Sequence, residues 1–521
     1  MRVALSQRID HVNPFRAVKE AGAMIGRLCW EFLTPPSPVD YKPTSGVAES
    51  LTPSEDKLTW KCVIRQGLTW SDGTPLTAHD VAFTFDKIMS DEVAAEANGS
   101  YVENIVSVEA EGDDTVWFRT KSPQASMTAL DVPIVPEHVW RVVEDMDDPL
   151  GESVEIVGVG SGPFLVAEHR KDDVTILKAN PGYWRGRSAI DEIHLIFFES
   201  ADDAVDALCA GEVDVVNRVT FTQHRKLSAT DGVTVVEADS RRYNHLMLNL
   251  GALNRDRQPI GDGHPALRDI RVRKALAKAI DVEAIRDGVY GGFSRAPGGI
   301  VPAVFPDYHW EPSEEQRYEF DLTRAGEELE AAGYRLREGR RVGPDGDPLR
   351  LRLLWRLGTD YHERAAKHIA GWLDELGIGV ESTGLPDDDY EEEYNSGRFD
   401  LTVAGWGSPP DPDWILSRQT SKSLPSDRDT TVSASFLADD EFDALYERQL
   451  AEMDPAARAE IVKQAQARYY DLVPTILLAY PVALEAYRSD RFTGFTRQPA
   501  GTGPIMEQAG YWGFYTSRPV G

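Results

Sequence analysis

The stretch WSDGTPLTAHDV, residues 70–81, decides how this chain is interpreted, because it holds acids, a threonine and a histidine within twelve positions. Asp72-Gly73 is a typical turn pair, since glycine accepts a positive φ and aspartate can bond its own backbone. Thr77 occupies the position of a helix N-cap, and Asp80 follows at the spacing of a capping box. We therefore predict that this stretch forms a turn and a helix start and carries no catalysis.

Length and charge limit the class of protein. A chain of 521 residues is too long for one core and predicts about three domains. No apolar run approaches the roughly 18 residues of a membrane span, so we expect a soluble chain. The 86 acids against 55 bases give a formal charge of −31, which disfavours nucleic acid and anionic membranes as partners. This charge fits ordinary solubility, a cationic ligand or a high-salt environment.

The metal-binding residue types are scattered. Cys29, Cys62 and Cys209 have no CxxC spacing, and the eleven histidines form no HExxH motif. Cys62 and Cys209 lie in apolar patterns that predict buried thiols, while the pairing of the three cysteines stays open. The acids in residues 387–393 point in different directions on a helix, which predicts a solvated face. We predict no metal and no cofactor.

Strands and helices alternate along the chain, which indicates an α/β architecture. Proline- and glycine-rich stretches at 34–46, 158–163, 291–306 and 339–348 predict loops or domain boundaries. The predicted strands are Lys61–Arg65, Thr115–Thr120, Thr175–Lys178, Val213–Val216, Leu351–Trp355 and Ile378–Glu381. The predicted helices are Asp202–Ala210, Arg268–Ile280 and Glu363–Leu376.

Enzyme motifs are missing from the sequence. It contains no GxSxG, no Walker A motif and no GxGxxG in a strand–helix context. A carboxylate pair for glycoside hydrolysis could be assembled from many acids, but nothing in the sequence selects one. We therefore predict no catalytic residues and a protein that is not an enzyme.

Seven stretches resemble the large solute-binding proteins of ABC importers that carry peptides or nickel, and they occur in collinear order across nearly the whole chain. They are Trp70–Val81, Gly160–Phe164, Asn180–Trp184, Ala210–Asp214, Leu267–Asp281, Phe399–Trp406, and Asp454–Arg458 running on to Gly494-Phe495. The first matches the pattern W-x-DG-x-P-x-x-A-x-D-V. One such match would be weak evidence for the resemblance, and seven in collinear order are strong evidence.

The resemblance implies a two-lobe periplasmic-binding-protein fold (type II, cluster C) with an extra domain. Hinge strands would run near Tyr243–Asn249 and Pro481–Tyr487, and the opening stretch would lie on the extra domain, away from the cleft. The implied boundaries are residues 1–38, 158–248 and 483–521 for lobe I, 39–157 for the extra domain and 249–482 for lobe II.

The implied function is that of an extracytoplasmic substrate-binding component, which captures a peptide or peptide-like solute between lobes and delivers it to ABC permease subunits. Alternatives are an oligosaccharide, an opine, a metal chelate, or a receptor role in signalling. A monomer that binds no nucleic acid is expected. Residues 1–7 lack the apolar region of a signal peptide, so either the protein is cytoplasmic or a leader has been removed. The family implies the second case, with a secreted or lipid-anchored protein.

The segment Ala404–Trp414 carries the main predicted contacts with solute. Trp406 matches a cleft tryptophan, whose large ring suits a binding wall, although it could also be core. Peptide binders resemble one another in placing there an aspartate that pairs with the free amine of the peptide, and Pro409 stands in its place. Asp411 is a candidate replacement or a turn residue. The run WGSPPDP also resembles the nickel-binding members, except that Pro410 replaces their tyrosine.

Other candidates rest on position alone. Arg356 follows a predicted strand where dipeptide-binding members place an arginine, and it could grip a carboxylate or stay on the surface. Tyr243, Asn244 and His245 lie at the implied hinge and would contact solute or satisfy hinge hydrogen bonds. Trp30 and Glu31 would line the mouth of the cleft, with core packing the alternative for Trp30. The residues predicted to bind substrate are therefore Trp406, Asp411, Arg356, Tyr243, Asn244, His245, Trp30 and Glu31.

Overall fold

The computed structural model describes residues 1–171, 173–425, 435–506 and 510–521. They form two compact units: unit 1 is Met1–Ser240 with Ala483–Gly521, and unit 2 is Arg241–Val482. The chain therefore passes from one unit to the other twice. Within the described ranges, no helix combines the length and apolar character needed to cross a membrane.

Strands and helices alternate in both units. The strands are β1 (Arg2–Leu5), β2 (Ala48–Pro53), β3 (Thr59–Ile64), β4 (Ile105–Glu111), β5 (Thr115–Thr120), β6 (Phe164–Arg170), β7 (Val174–Ala179), β8 (Glu192–Phe197), β9 (Val215–Val216), β10 (Val233–Asp239), β11 (Arg242–Leu248), β12 (Ser294–Arg295), β13 (Arg335–Arg337), β14 (Arg340–Val342), β15 (Arg350–Arg356), β16 (Gly379–Leu385), β17 (Leu401–Gly407), β18 (Thr475–Arg488), β19 (Phe492–Thr493) and β20 (Arg518–Pro519). The helices are α1 (Glu20–Cys29), α2 (Ala78–Ser90), α3 (Ala95–Val102), α4 (Glu137–Trp140), α5 (Val154–Val157), α6 (Ala201–Ala210), α7 (Phe221–Ser228), α8 (Ile270–Lys278), α9 (Val282–Gly288), α10 (Leu322–Ala331), α11 (Asp360–Glu375), α12 (Asp387–Asn395), α13 (Asp413–Ser417), α14 (Asp440–Ala451), α15 (Pro455–Leu472) and α16 (Trp512–Thr516).

In the described residues, unit 1 contains two large sheets and the short antiparallel pair of β19 and β20. In the first, β1 pairs in parallel with β8 and β9, and β6, β7 and β8 are antiparallel neighbours. The end of β18 closes this sheet at Ala486 and Tyr487, opposite β9. The second sheet is antiparallel, in the order β2-β3-β5-β4. It lies within residues 39–157, although the boundaries predicted for the extra domain stay a prediction.

The opening stretch forms the predicted turn and helix cap beside this second sheet. The Asp72 carboxylate accepts a hydrogen bond from the backbone N–H of Thr74 at 2.9 Å. The Thr77 hydroxyl accepts the backbone N–H of His79 at 3.3 Å, and Asp80 accepts that of Thr77 at 2.8 Å. Together these bonds close the capping box at the start of α2. The prediction of a turn and cap is confirmed.

The main sheet of unit 2 has the order β16-β15-β17-β11-β18, and β13 and β14 form a separate antiparallel pair. β15 is parallel to β16 and β17, while β11 is antiparallel to β17 and β18. Because strand side chains alternate, Leu246 and Leu248 enter the main core with α8, α10 and α11, and His245 and Met247 face the other side of the sheet. This second face carries the candidate site.

Most predicted elements are confirmed, with shifts of a few residues at their ends. The helix predicted at 268–280 is wrong at its start, because Asp269 caps α8 by accepting the N–H of Arg271 at 2.9 Å. A separate 3-10 turn, Pro265–Arg268, precedes it. The three cysteines are free thiols, and Cys209 is only half-buried, which corrects its prediction as a buried thiol.

Candidate functional site

The outer edge of β17 is the first feature of the site. The backbone N–H of Ser408 donates to Arg241 O at 2.8 Å, on the side of β11. Since backbone groups alternate along a strand, the N–H and C=O groups of Trp406 also point toward β11. Those of Gly405 and Gly407 point toward the opposite edge.

That opposite edge is occupied only in part. The ladder between β15 and β17 ends with Trp355 opposite Val403. Among the residues that the structure describes, no strand pairs with this side of β17 beyond that point. Gly405 and Gly407 have no side chains, so another backbone can approach them closely. The result is a short, open strand edge at residues 404–407.

The sheet face beneath Gly405 is filled by Asn244. Its side-chain oxygen occupies the space that a Cβ at Gly405 would need. The amide nitrogen of Asn244 donates to the Tyr290 hydroxyl at 2.6 Å, and both side chains are buried. A guanidinium nitrogen of Arg242 also reaches Gly405 O at 3.4 Å. Asn244 therefore packs directly beneath Gly405, and Arg242 donates to one carbonyl of the edge that no described strand covers.

Aromatic rings line the other face of the strand. The Trp406 ring lies 5.9 Å from that of His245 and 6.3 Å from that of Trp414, both edge to face. Tyr243 continues the row, with its ring 5.1 Å from His245. The Arg418 guanidinium lies over the Trp414 ring at 4.0 Å. Trp406 and Trp414 are partly exposed, so they form a wall that a ligand can touch.

Two histidines near this strand are buried in the neutral form. His245 is 1% exposed and His362, on the first turn of α11, is 6% exposed. Desolvation lowers the pKa of each to about 3, aided at His362 by repulsion from Arg242 and Arg356. Within the described part of the chain, neither imidazole has a hydrogen-bond partner at either nitrogen.

Asp411 is held by an arginine. Its two carboxylate oxygens accept hydrogen bonds from the two terminal nitrogens of Arg458, at 2.6 and 2.7 Å. The backbone N–H of Asp413 adds a third bond at 2.9 Å. Both side chains are largely buried, and the Arg458 Nε donates to Gln449. The carboxylate predicted as an amine anchor thus lies inside a charge-paired network.

Arg356 is also engaged. It donates to Asp387 at 2.9 Å and to Glu391, and its guanidinium lies 4.7 Å from the Tyr390 ring. Its side chain is about one-third exposed. Two acids of the run 387–393 thus bind this arginine, and their side chains remain 69% and 45% exposed, in agreement with the prediction of a solvated face.

Trp30 and Glu31 lie in unit 1, where both side chains are buried. The indole N–H of Trp30 donates to Val159 O at 3.2 Å. Glu31 accepts the Tyr183 hydroxyl at 2.6 Å, and its backbone N–H donates to the Ser161 hydroxyl at 3.0 Å. Desolvation raises the pKa of Glu31 in spite of that hydrogen bond. These side chains anchor the segment that follows α1.

The structure thus brings Tyr243, Asn244, His245 and Trp406 together on two paired strands. Trp414, His362 and Arg458 were not among the residues predicted to bind substrate. Trp414 could have been found, because it follows Trp406 in the same short segment. In the described ranges, no group of three or more histidine, cysteine, aspartate or glutamate side chains is arranged to hold a metal ion.

The open strand edge beside the partly exposed tryptophans is a candidate binding surface, and comparison with known proteins gives the class of the protein. Residues 42–426 match the bacterial extracellular solute-binding proteins, family 5. This chain belongs to that family and is a solute-binding protein that works outside the cytoplasm. The predicted family and the predicted α/β periplasmic-binding-protein fold are confirmed.

Individual relatives agree with this assignment. Protein XP55 of Streptomyces lividans is 29% identical over 479 residues, which cover 90% of this chain and 81% of XP55. The oligopeptide-binding protein AppA of Bacillus subtilis is 26% identical over 410 residues, or 77% of this chain and 72% of AppA.

Solved structures share the fold. That of AppA in complex with a nonapeptide has a TM-score of 0.79 and 21% identity, covering 100% of this chain and 99% of AppA. NikZ from Campylobacter jejuni in complex with Ni(L-His) has a TM-score of 0.81 and 20% identity, covering 99% of both chains.

Proposed function

We propose that this protein is the binding component of an ABC importer and that it captures an extended peptide or peptide-like solute as an added strand on the outer edge of β17. One observation carries the proposal: residues 404–407 continue a strand after its ladder with β15 has ended at Val403. An extended peptide can pair its main chain with such an edge, whatever its side chains are.

The two glycines would supply the main-chain contacts. A peptide beside β17 would exchange hydrogen bonds with the N–H and C=O groups of Gly405 and Gly407. Its side chains would alternate between the two faces of the sheet, because successive residues of a strand point to opposite sides. One face offers the rings of Trp406 and Trp414 as large contact areas that lose little conformational entropy. Affinity would come from the backbone and selectivity from the rings.

The relatives support a peptide as solute and a membrane transporter as partner. AppA is named as an oligopeptide-binding protein, and its solved structure contains a nonapeptide. We infer the same class of solute here, with delivery to permease subunits by a monomer that is secreted or lipid-anchored. NikZ binds Ni(L-His), but in the described residues of this chain no cluster of metal ligands favours that solute.

The first test is to identify the solute. The purified protein is denatured, and the released small molecules are analysed by mass spectrometry. Peptides that co-purify in a fixed ratio to protein support the proposal, and a sugar, opine or metal chelate released in that ratio refutes it.

The second test asks whether binding adds a strand, and it uses a random library of short peptides as the probe. Hydrogen exchange should slow at the amides of Gly405 and Gly407 and change little at Trp406, whose N–H already faces β11. Gly407→Pro removes the N–H that a peptide would accept, whereas Gly407→Ala retains it. Loss of one hydrogen bond of about 1–1.5 kcal/mol predicts roughly tenfold weaker binding for the proline variant and near-normal binding for the alanine variant. Equal affinities for the two variants would refute strand addition at this edge.

A further inference from the structure

We infer that unit 2 carries a second binding surface, an exposed arginine face that docks an acidic segment of a partner protein. The arginine face consists of Arg335, Arg337, Arg340 and Arg350. The inference goes beyond the proposed function, because it concerns a protein partner and a surface away from the solute site. Its starting point is the local charge: residues 335–352 hold six arginines and three acids, in a chain whose formal charge is −31.

A tight β-hairpin sets the geometry of the arginine face. Strands β13 and β14 are joined by Glu338 and Gly339, whose φ angles of 50° and 79° are both positive, as the central positions of a type I′ turn require. The turn places Arg337 directly opposite Arg340. Side chains at opposite positions lie on the same side of a ladder, with Cβ atoms about 5 Å apart, so two positive charges are close neighbours.

The arginine face uses every second residue of its strands. Two of the residues between them, Arg341 and Leu349, are buried on the other side. A bridge of Val342 with Pro348 carries the same side on to Arg350 at the start of β15. All four arginines of the face are exposed. The hairpin therefore presents them together to a partner.

Most of this charge is not neutralised by the fold. Arg340 donates to the Asp374 carboxylate at 2.6 Å. In the part of the chain that the structure describes, Arg335, Arg337 and Arg350 form no ion pair and no side-chain hydrogen bond. By contrast, the two arginines of this stretch that lie outside the face are paired with acids of unit 2. Three positive charges are thus left for a ligand.

The spacing of these charges suits an extended acidic polypeptide. A guanidinium binds a carboxylate through two parallel hydrogen bonds. Arg335 and Arg337 are two residues apart on one strand, which is about 6.6 Å, and every second side chain of an extended peptide has the same spacing. A segment with acids at alternate positions can therefore pair with both arginines at once.

An anionic membrane fits the arginine face less well. The arginines lie along the side of the hairpin, and its tip carries Glu338, an acid. The net charge of −31 repels a negatively charged plane, whereas a narrow segment can stay within the roughly 8 Å over which exposed charges act at physiological salt. The same net charge disfavours a second copy of this chain as the partner.

The arginine face is separate from the proposed solute site. Arg350 begins β15, a strand of seven residues, and the solute site lies beside the other end of that strand, beyond Trp355. At about 3.3 Å per residue the two ends are roughly 20 Å apart. A partner can therefore bind to the arginine face without covering the strand edge at residues 404–407.

The test measures the binding of a labelled peptide that has glutamate at every second position and neutral residues between. Binding is followed by fluorescence anisotropy at low ionic strength, and a peptide with glutamine in place of glutamate is the control. We expect the glutamate peptide to bind about tenfold more tightly than the glutamine peptide, and to bind more weakly as salt is added. Equal affinities for the two peptides overturn the inference.

Two triple variants locate the binding. The first removes the unpaired charges of the face and combines Arg335→Gln, Arg337→Gln and Arg350→Gln. The second makes the same change in net charge on unit 1 and combines Arg141→Gln, Arg170→Gln and Arg187→Gln, at three exposed arginines. Loss of three exposed ion pairs should weaken binding about tenfold in the first variant, and the second should stay within about threefold of wild type. Equal losses in the two variants overturn the inference.

Three further measurements exclude other modes of binding. An excess of a random peptide library made without aspartate and glutamate should not displace the glutamate peptide. Displacement would mean that the peptide is bound as a solute, which overturns the inference and leaves the proposed function intact. Binding to phosphatidylglycerol vesicles through these arginines, without binding to the glutamate peptide, overturns it in favour of a membrane. Dimers in sedimentation that the first triple variant abolishes overturn it in favour of a second copy.

Discussion

Acid should destabilise unit 2 well before its carboxylates titrate, because His245 and His362 are buried as neutral imidazoles. His245 is enclosed by the rings of Tyr243 and Trp406, and His362 lies near two guanidinium groups, those of Arg242 and Arg356. Protonating either ring would bury a positive charge, and at His362 that charge would be repelled by the two guanidinium groups. In the unfolded chain the charged imidazole is not buried, so the histidines take up protons at a higher pH than in the folded protein.

The magnitude follows from the two pKa values of each group. In the folded protein the pKa of His245 and that of His362 are each about 3, and in an unfolded chain the pKa of a histidine is about 6.5. A lowered pKa means that stability is fully present above the unfolded value and falls as the pH drops toward the folded value. Between about pH 7 and about pH 5 each histidine removes about 2 kcal/mol, or about 4 kcal/mol for the pair. For a unit of this size that is a fall of roughly 8–16 °C in melting temperature.

The assay compares wild type with the double variant His245→Phe and His362→Phe. Phenylalanine keeps an aromatic ring at each buried position and removes the titrating nitrogens. The free energy of unfolding is measured by urea denaturation at several pH values and constant ionic strength. The double variant should lose about 4 kcal/mol less than wild type between about pH 7 and about pH 5. His79→Gln, which changes a histidine whose side chain is 55% exposed, serves as the control and should follow wild type. If wild type and the double variant lose stability in parallel, these histidines are not buried neutral and the reasoning fails.

Two further predictions concern stability. Asp411→Asn leaves the buried Arg458 charge without its partner and should cost about 3–5 kcal/mol in urea denaturation, most of it recovered when Arg458→Gln is added; full stability of the single variant would contradict the pairing. Thr77→Ala removes the cap of α2 and should cost about 1 kcal/mol without changing the affinity for peptides, and a tenfold loss of affinity at unchanged stability would move this motif into the site.

Sequence patterns predicted the helices and strands of this chain well where the residues that determine them lie close together in the chain. The Thr77 cap is formed by residues three positions apart, and the helix α11 follows from an apolar stripe within its own length. Errors occur where a distant residue intervenes. The strand predicted at 213–216 shortens to β9, and the carboxylate of Asp214 instead accepts the backbone N–H of Arg2 at 2.7 Å.

The candidate site likewise has features that the sequence predicts and features that only contacts between distant residues determine. The family resemblance assigned Trp406 to a binding wall, whereas its position after a buried strand was equally consistent with the core, and the assignment stays a prediction. The pairing of β11 with β17 brings His245 beside it. The state of Asp411 could not be predicted, since its partner Arg458 lies 47 residues further along the chain. Asp411 and Arg458 meet only because α15 packs against the segment after β17, and no periodic pattern in the sequence predicts that contact.

The same contrast explains why a family signature fixes the fold of this chain more firmly than its solute. The signature residues act through backbone geometry: Asp72-Gly73 forms a turn and Thr77 a cap, whatever the ligand is. The solute depends on side chains that only the fold brings together, and near the end of β17 the fold pairs Arg356 with Asp387 and Arg458 with Asp411. The binding surface that we propose there is a backbone edge and a pair of indole rings, which suits an extended chain because main-chain pairing does not depend on the side chains of the ligand.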